Sequence, residues 1–128
     1  MERSADWLKQ ARRDLKKAKL DLDNEYYEWC SFTAQQAAEK AVKAVYHYIN
    51  KSVRGHAVTR LLSGLTGKYK ASEELMNSAR ILDRYYIESR YPNGFPEGSP
   101  MDFFDRKIAR EAYNAARKII RFCSSIIG

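Results

Sequence analysis

The chain has no apolar run near the ~20 residues that a bilayer span needs, and its first residues, Met1 to Asp6, contain no apolar stretch of the signal-peptide kind. Export and membrane insertion are therefore not expected, and the location read from the sequence is cytoplasmic. Cysteine is limited to Cys30 and Cys123, far apart, which excludes a disulfide framework and favours two small buried hydrophobes. The only imidazoles are His47 and His56. No Cys/His spacing fits a zinc site and no Glu-x-x-His pair of the di-iron bundle type occurs, so no metal is expected. With two histidines, no Ser/His/Asp or Cys/His arrangement can be argued. Glycine-rich phosphate loops of either common pattern are missing, and no bound cofactor is implied. A nucleotide would have to be held by side chains and helix N-termini. Strand-like alternation, internal repeats and low-complexity segments are absent too. All three prolines fall between Pro92 and Pro100, which marks the one clear loop.

What is present is helical periodicity. The 128 residues suit one domain spanning 1–128, large enough to bury a core without a staple. Residues 4–24 read as a first helix, with Ser4 as N-cap, Asp6 in the first turn, and Leu8, Ala11, Leu15, Ala18 and Leu22 as its stripe. A second helix is expected from about Glu25 to Asn50, a run free of Gly and Pro and rich in helix formers. One arc carries Tyr26, Cys30, Ala34, Ala37, Ala41, Ala44, Val45 and Tyr48, and its alanines are small enough to admit neighbouring helices closely. The other mixes Gln35, Gln36, Glu39, Lys40, Lys43 and His47 with Trp29, Phe32 and Tyr46. That mixed arc is expected to face a partner subunit or a ligand cleft.

A short third helix is expected over 56–65, and a fourth from a Ser72 cap to about Tyr91, just before Pro92. The Ser99-Pro100-Met101-Asp102 sequence restarts helix with a cap, a first-turn proline and an acid. Phe104, Ile108, Ala112, Ala115, Ile119, Phe122 and Ile126 make the fifth stripe. The fold class is all-α, an up-and-down antiparallel bundle of about five helices with short connections.

The formal charge is +7, divided as +2 over residues 1–24, +2 over 25–100 and +3 over 101–128, without a basic block. It is compatible with RNA, nucleotides or an acidic partner, or with a solvated surface. Two local groups invite chemistry. Gln36, Lys40, Lys43 and His47 form a row on the second helix whose lysines could meet phosphate oxygens, while Glu39–Lys43 at i,i+4 is the plain alternative. Arg90-Tyr91-Pro92 at the loop's mouth combines a bidentate phosphate ligand with a ring that can stack on a base.

The order Trp7…Asp14-Leu15, then Phe32…Gln35-Gln36-Ala-Ala-Glu39-Lys40-Ala-Val-Lys43, then Gly55-His56…Leu61-Leu62, then Leu82…Tyr86…Ser89-Arg90-Tyr91-Pro92 resembles the HEPN domain family (higher eukaryotes and prokaryotes nucleotide-binding) over nearly the whole chain. The resemblance implies a helical bundle, often a homodimer. It also implies a neighbouring nucleotidyltransferase-domain protein as partner in a toxin–antitoxin-like pair. Many members are metal-independent RNases that carry an Arg, then four to six intervening residues, then a His. Here those positions after Arg90 hold Phe95, Pro96 and Glu97, so the acid or base of that motif is missing. The ligand-binding candidates are Lys40, Lys43, His56, Arg90 and Tyr91. Arg90 and His56 would be catalytic only in an RNase. A purely structural oligomerising partner, assembled through Trp29 and Phe32, is the other reading.

Overall fold

Helix α1 (Ser4–Asp23) and helix α2 (Tyr27–Tyr48) form a hairpin in a computed structural model that describes residues 2–128. The turn between them uses Glu25 at φ 67, a left-handed conformation, so α2 starts two residues later than its composition suggests. Trp7 stacks on His47 at 5.2 Å and Asp14 pairs with Lys40, which makes the two helices antiparallel. Ser4 does not cap α1. It is the first helical residue, and its N–H is taken by the Glu2 carboxylate.

The chain continues through α3 (Val58–Ser63), a 3₁₀ turn at Gly67–Tyr69, α4 (Glu73–Arg84), a second 3₁₀ turn at Pro92–Gly94, α5 (Pro100–Phe103) and α6 (Arg106–Ile127). Among the described residues there are six helices, four of them long, and no strand. The expected caps at Ser72 and Ser99 are present, the latter as a capping box with Asp102. The last stripe is divided where it was expected to run on. Phe104 leaves helical geometry and Asp105 caps α6 by accepting from the Ile108 N–H at 2.8 Å.

Two boundaries differ for tertiary reasons. His56 and Ala57 lie outside α3, because α3 is capped by a side chain from elsewhere in the chain. Helix α4 stops at Arg84, well short of Pro92. Proline restrains only the residue before it, whereas here Tyr85 turns edge-on to Phe104 at 5.1 Å and Tyr86 turns toward His56 and Phe32 at 6.0 and 6.1 Å. Residues 85–90 are a series of turns.

Helices α1 and α4 run one way, and α2 and α6 the other. The Cys30 thiol near the start of α2 reaches the Ala109 carbonyl near the start of α6, and Tyr85 at the end of α4 meets Phe104 just before α6. The two parallel helices α2 and α6 pack directly on each other, and each also packs on α1 and α4. Small side chains permit this central pair: Ala34, Ala37, Ala38, Ala41 and Ala44 on α2 and Ala109, Ala112, Ala115 and Ala116 on α6 are all buried. Around them Leu8, Leu61, Leu62, Leu82 and Ile119 complete the core. No helix among the described residues is long and apolar enough to cross a membrane.

Both cysteines are free and fully buried in this seam. Burial pushes the Cys30 thiol up to about 12, and burial also raises that of Cys123. Neither thiol is expected to react with iodoacetamide in the native protein at pH 8, and both should react once it is unfolded in urea. Mass spectrometry counts the adducts. Fast labelling of either cysteine before unfolding would contradict this packing.

Candidate functional site

The mixed face of α2 is covered by its own chain, not left for a partner along its length. Gln35, 1% exposed, donates to the His56 carbonyl at 2.7 Å and reaches Asp83 at 3.3 Å. The Tyr46 hydroxyl donates to the Leu61 carbonyl at 2.8 Å, and burial raises its pKa and keeps it a donor. Segment 56–65 therefore lies over this face, and what remains open is the end near Trp29 and Phe32.

Glu39 is the polar centre of the covered region. Its side chain is only 7% exposed, and a carboxylate so placed requires compensation. The compensation comes from the Lys43 ammonium at 3.1 Å, from His56 Nδ1 at 3.2 Å from both carboxylate oxygens, and from Gln36. A carboxylate only accepts, so this contact puts a proton on Nδ1 and leaves Nε2 as the outward nitrogen. The ring is mostly exposed and stacks on Tyr86, with centroids 6.0 Å apart at 14°. With its carbonyl held by Gln35 and its ring by Glu39, His56 is fixed at both ends.

Tyr86 connects this imidazole to Arg90. The Arg90 guanidinium carbon lies 4.4 Å from the centroid of the Phe32 ring, 4.8 Å from that of Tyr86 and 5.1 Å from that of Tyr91. Three rings hold the guanidinium through their electron-rich faces. Its Nε donates weakly to the Tyr86 carbonyl at 3.4 Å, and no carboxylate of the described residues pairs with it. The terminal nitrogens are donors with nothing spent on an acid, in a planar fork that fits phosphate.

The structure thus joins Lys43, His56, Arg90 and Tyr91 in one chain of contacts running through Glu39, Tyr86 and Phe32. It does not join Lys40 to them. Lys40 crosses to Asp14 on α1, and His47 stacks on Trp7 beside it. The Gln36–Lys40–Lys43–His47 row therefore splits between two neighbours. The Glu39–Lys43 pair expected from i,i+4 spacing is present, with the added role of neutralising the carboxylate that holds His56.

Sequence reasoning missed Asp83, Tyr86 and Phe32 as site-building residues. The Asp83 carboxylate accepts from the N–H groups of Val58 at 3.0 Å and Thr59 at 2.8 Å, and from the Thr59 hydroxyl at 2.9 Å. It is the N-cap of α3, supplied from α4, and it sets where His56 emerges. Its partners lie 24 to 48 positions away in sequence, so no local pattern marks it. Tyr86 carried a signal, since it lies four residues before Arg90 and four after Leu82, but that helical spacing suggests core and not a platform between two polar groups.

The HEPN domain model matches residues 4–126. A solved structure of TT1696 from Thermus thermophilus is 38% identical and superposes with a TM-score of 0.95, covering 98% of this chain and 99% of that one. ST0689, described as an archaeal HEPN homologue, is 36% identical with a TM-score of 0.84 over the whole of both chains. A protein of Methanocaldococcus jannaschii named "Putative toxin MJ1304" is 26% identical over 123 residues, 89% of this chain and 81% of its own length.

Proposed function

This chain belongs to the HEPN domain family, and from that premise we propose that it is the nucleotide- or RNA-binding component of a toxin–antitoxin-like system, paired with a nucleotidyltransferase-domain protein. The observation that carries the binding reading is Arg90, an unpaired guanidinium framed by Phe32, Tyr86 and Tyr91, with the His56 ring stacked on the middle ring. A fork for phosphate oxygens beside ring faces for a base is the chemistry a nucleotide needs. Half-exposed Tyr91 and mostly exposed His56 border the group on its open side. The toxin part of the reading is supported by the name given to the archaeal relative. The open aromatic end of α2, Trp29 against Phe32, is the surface this reading gives to a second copy of the chain.

Calorimetry with ATP, GTP and short RNAs tests the binding. Arg90→Ala is expected to weaken it by about 1.5–3 kcal/mol, the range for hydrogen bonds to a charged group, which is roughly 10- to 150-fold. No binding by the wild type at millimolar ligand, or an Arg90→Ala variant that binds as well, would sink the reading. Copurification with the protein encoded next to it tests the pairing.

A metal-independent RNase is the second reading, and the Glu39–His56 contact favours it. A carboxylate that fixes the tautomer of an imidazole leaves Nε2 facing outward as an acceptor, and Tyr86 links that imidazole to Arg90. RNA that stays intact with purified protein in EDTA would exclude it.

A further inference from the structure

Helix α6 carries a marked surplus of positive charge. Between Arg106 and Ile127 there are six Lys or Arg residues and one acid, Glu111. The even spread of charge along the chain conceals this, because Asp102 and Asp105, just upstream, are used as caps. At 100° per residue Arg106, Arg110, Arg117 and Arg121 fall within an arc of about 60°, and they extend over about 22 Å of helix axis. All four are exposed, and none pairs with a carboxylate among the described residues. Asn114 lies beside the row. Arg3, Lys17 and Lys19, by contrast, each pair with an Asp of α1. The opposite side of α6 is locked into the core by Ala109, Ala112, Ala116 and Ile119, so the row is rigid. An open groove of about 530 Å³ flanks it, bounded by Ser78 and Ile81 of α4 and by Arg106, Arg110 and Lys118.

The geometry points to this arginine row as a binding surface for the phosphate backbone of a nucleic acid strand. A linear series of planar forks matches a linear series of phosphates. An acidic protein fits less well, because protein interfaces need an apolar centre, and the rings beside the row, Tyr27 and Tyr113, are themselves overlaid by Arg106 and Arg117. The surface is separate from the Arg90 group. Ile81 faces the groove, whereas Asp83, about 200° further round α4, faces α3. Arg90→Ala reads the one site and changes in the arginine row read the other, so failure of one assignment leaves the other standing.

The test is fluorescence anisotropy across a salt series, with labelled single-stranded RNA and DNA of one sequence. Four phosphate contacts at about 0.7 in logarithmic slope each predict a slope near −3. A fourfold rise in salt should then weaken wild-type binding roughly fiftyfold. Changing Arg106, Arg110, Arg117 and Arg121 together to Gln should remove most of that slope, and Arg110→Gln alone should remove about 0.7. The single change keeps the test valid if the quadruple variant does not fold. A charge-matched control, Lys9→Gln with Lys16→Gln on α1, should leave more than half of the slope. Binding of both strands supports the assignment, and a preference for RNA adds 2′-hydroxyl contacts to it. The assignment is overturned if neither strand binds, if the arginine variants keep the wild-type slope, or if the control loses as much. Polyglutamate that displaces the strand as well as unlabelled RNA does would also overturn it, in favour of an acidic protein.

Discussion

Asp83→Ala is expected to lower unfolding stability by about 2–4 kcal/mol, the loss of an N-cap together with buried donors left unpaired. One carboxylate serves the N–H groups of Val58 and Thr59, the Thr59 hydroxyl and, more distantly, Gln35. Val58 is fully buried, so its N–H cannot turn to water once the acceptor is gone. Because α3 has only six residues, it has little else to keep it helical. Asp83→Asn keeps one acceptor oxygen and should lose about half as much. Urea titrations would read the effect as a lower midpoint at unchanged slope. Amide exchange of 56–59 should rise in parallel, since the same carboxylate anchors the segment carrying His56. An alanine variant within about 0.5 kcal/mol of wild type, the usual scatter of a surface change, would show that α3 is held by packing alone.

Gly64→Ala should cost about 2 kcal/mol, as overpacking of a filled site does. The reason is space and not backbone freedom, because Gly64 has an ordinary φ of −74. A Cβ there would lie 2.3 Å from the Tyr46 hydroxyl oxygen, and that hydroxyl is held by its bond to the Leu61 carbonyl. Tyr46→Phe alone should cost about 1 kcal/mol for the lost hydrogen bond. Combined, the two changes should cost clearly less than their sum. With the hydroxyl gone, the nearest ring carbon is 3.6 Å from the new methyl, an ordinary contact. Strictly additive losses in thermal or urea unfolding would mean that Gly64 and Tyr46 do not compete for the same space.

Part of the site was legible residue by residue. Arg90 and Tyr91 were conspicuous because they stand at the mouth of the one proline-rich loop. Lys43 and Glu39 were visible as an i,i+4 pair, and the pair is there. Lys40 looked equivalent to Lys43 along the helix, yet it crosses to Asp14 on α1. Three positions on a helix amount to one turn, and a neighbouring helix can take one residue of such a row and leave the next. The mixed face of α2 was read as facing a partner subunit or a ligand cleft, and segment 56–65 of its own chain covers much of it. Buried Gln35 and Glu39 are polar because they bind the main chain and imidazole of that covering segment. From the sequence alone, a polar residue that meets solvent and one that meets a distant backbone look the same.

The sequence by itself determined the helical bundle, its long elements, the caps at Ser72 and Ser99, and the burial of the alanine seam. Each of these depends on residues within a turn or two of one another, or on a 3.6-residue period that survives any tertiary arrangement. Only the tertiary structure decided that α4 stops at Arg84, that Asp83 caps α3, that Arg90 lies among three aromatic rings beside His56, and that the arginines of α6 form an unpaired row. Those features join residues tens of positions apart, or depend on which acids are already engaged elsewhere. A local pattern contains neither kind of information until the helices are packed.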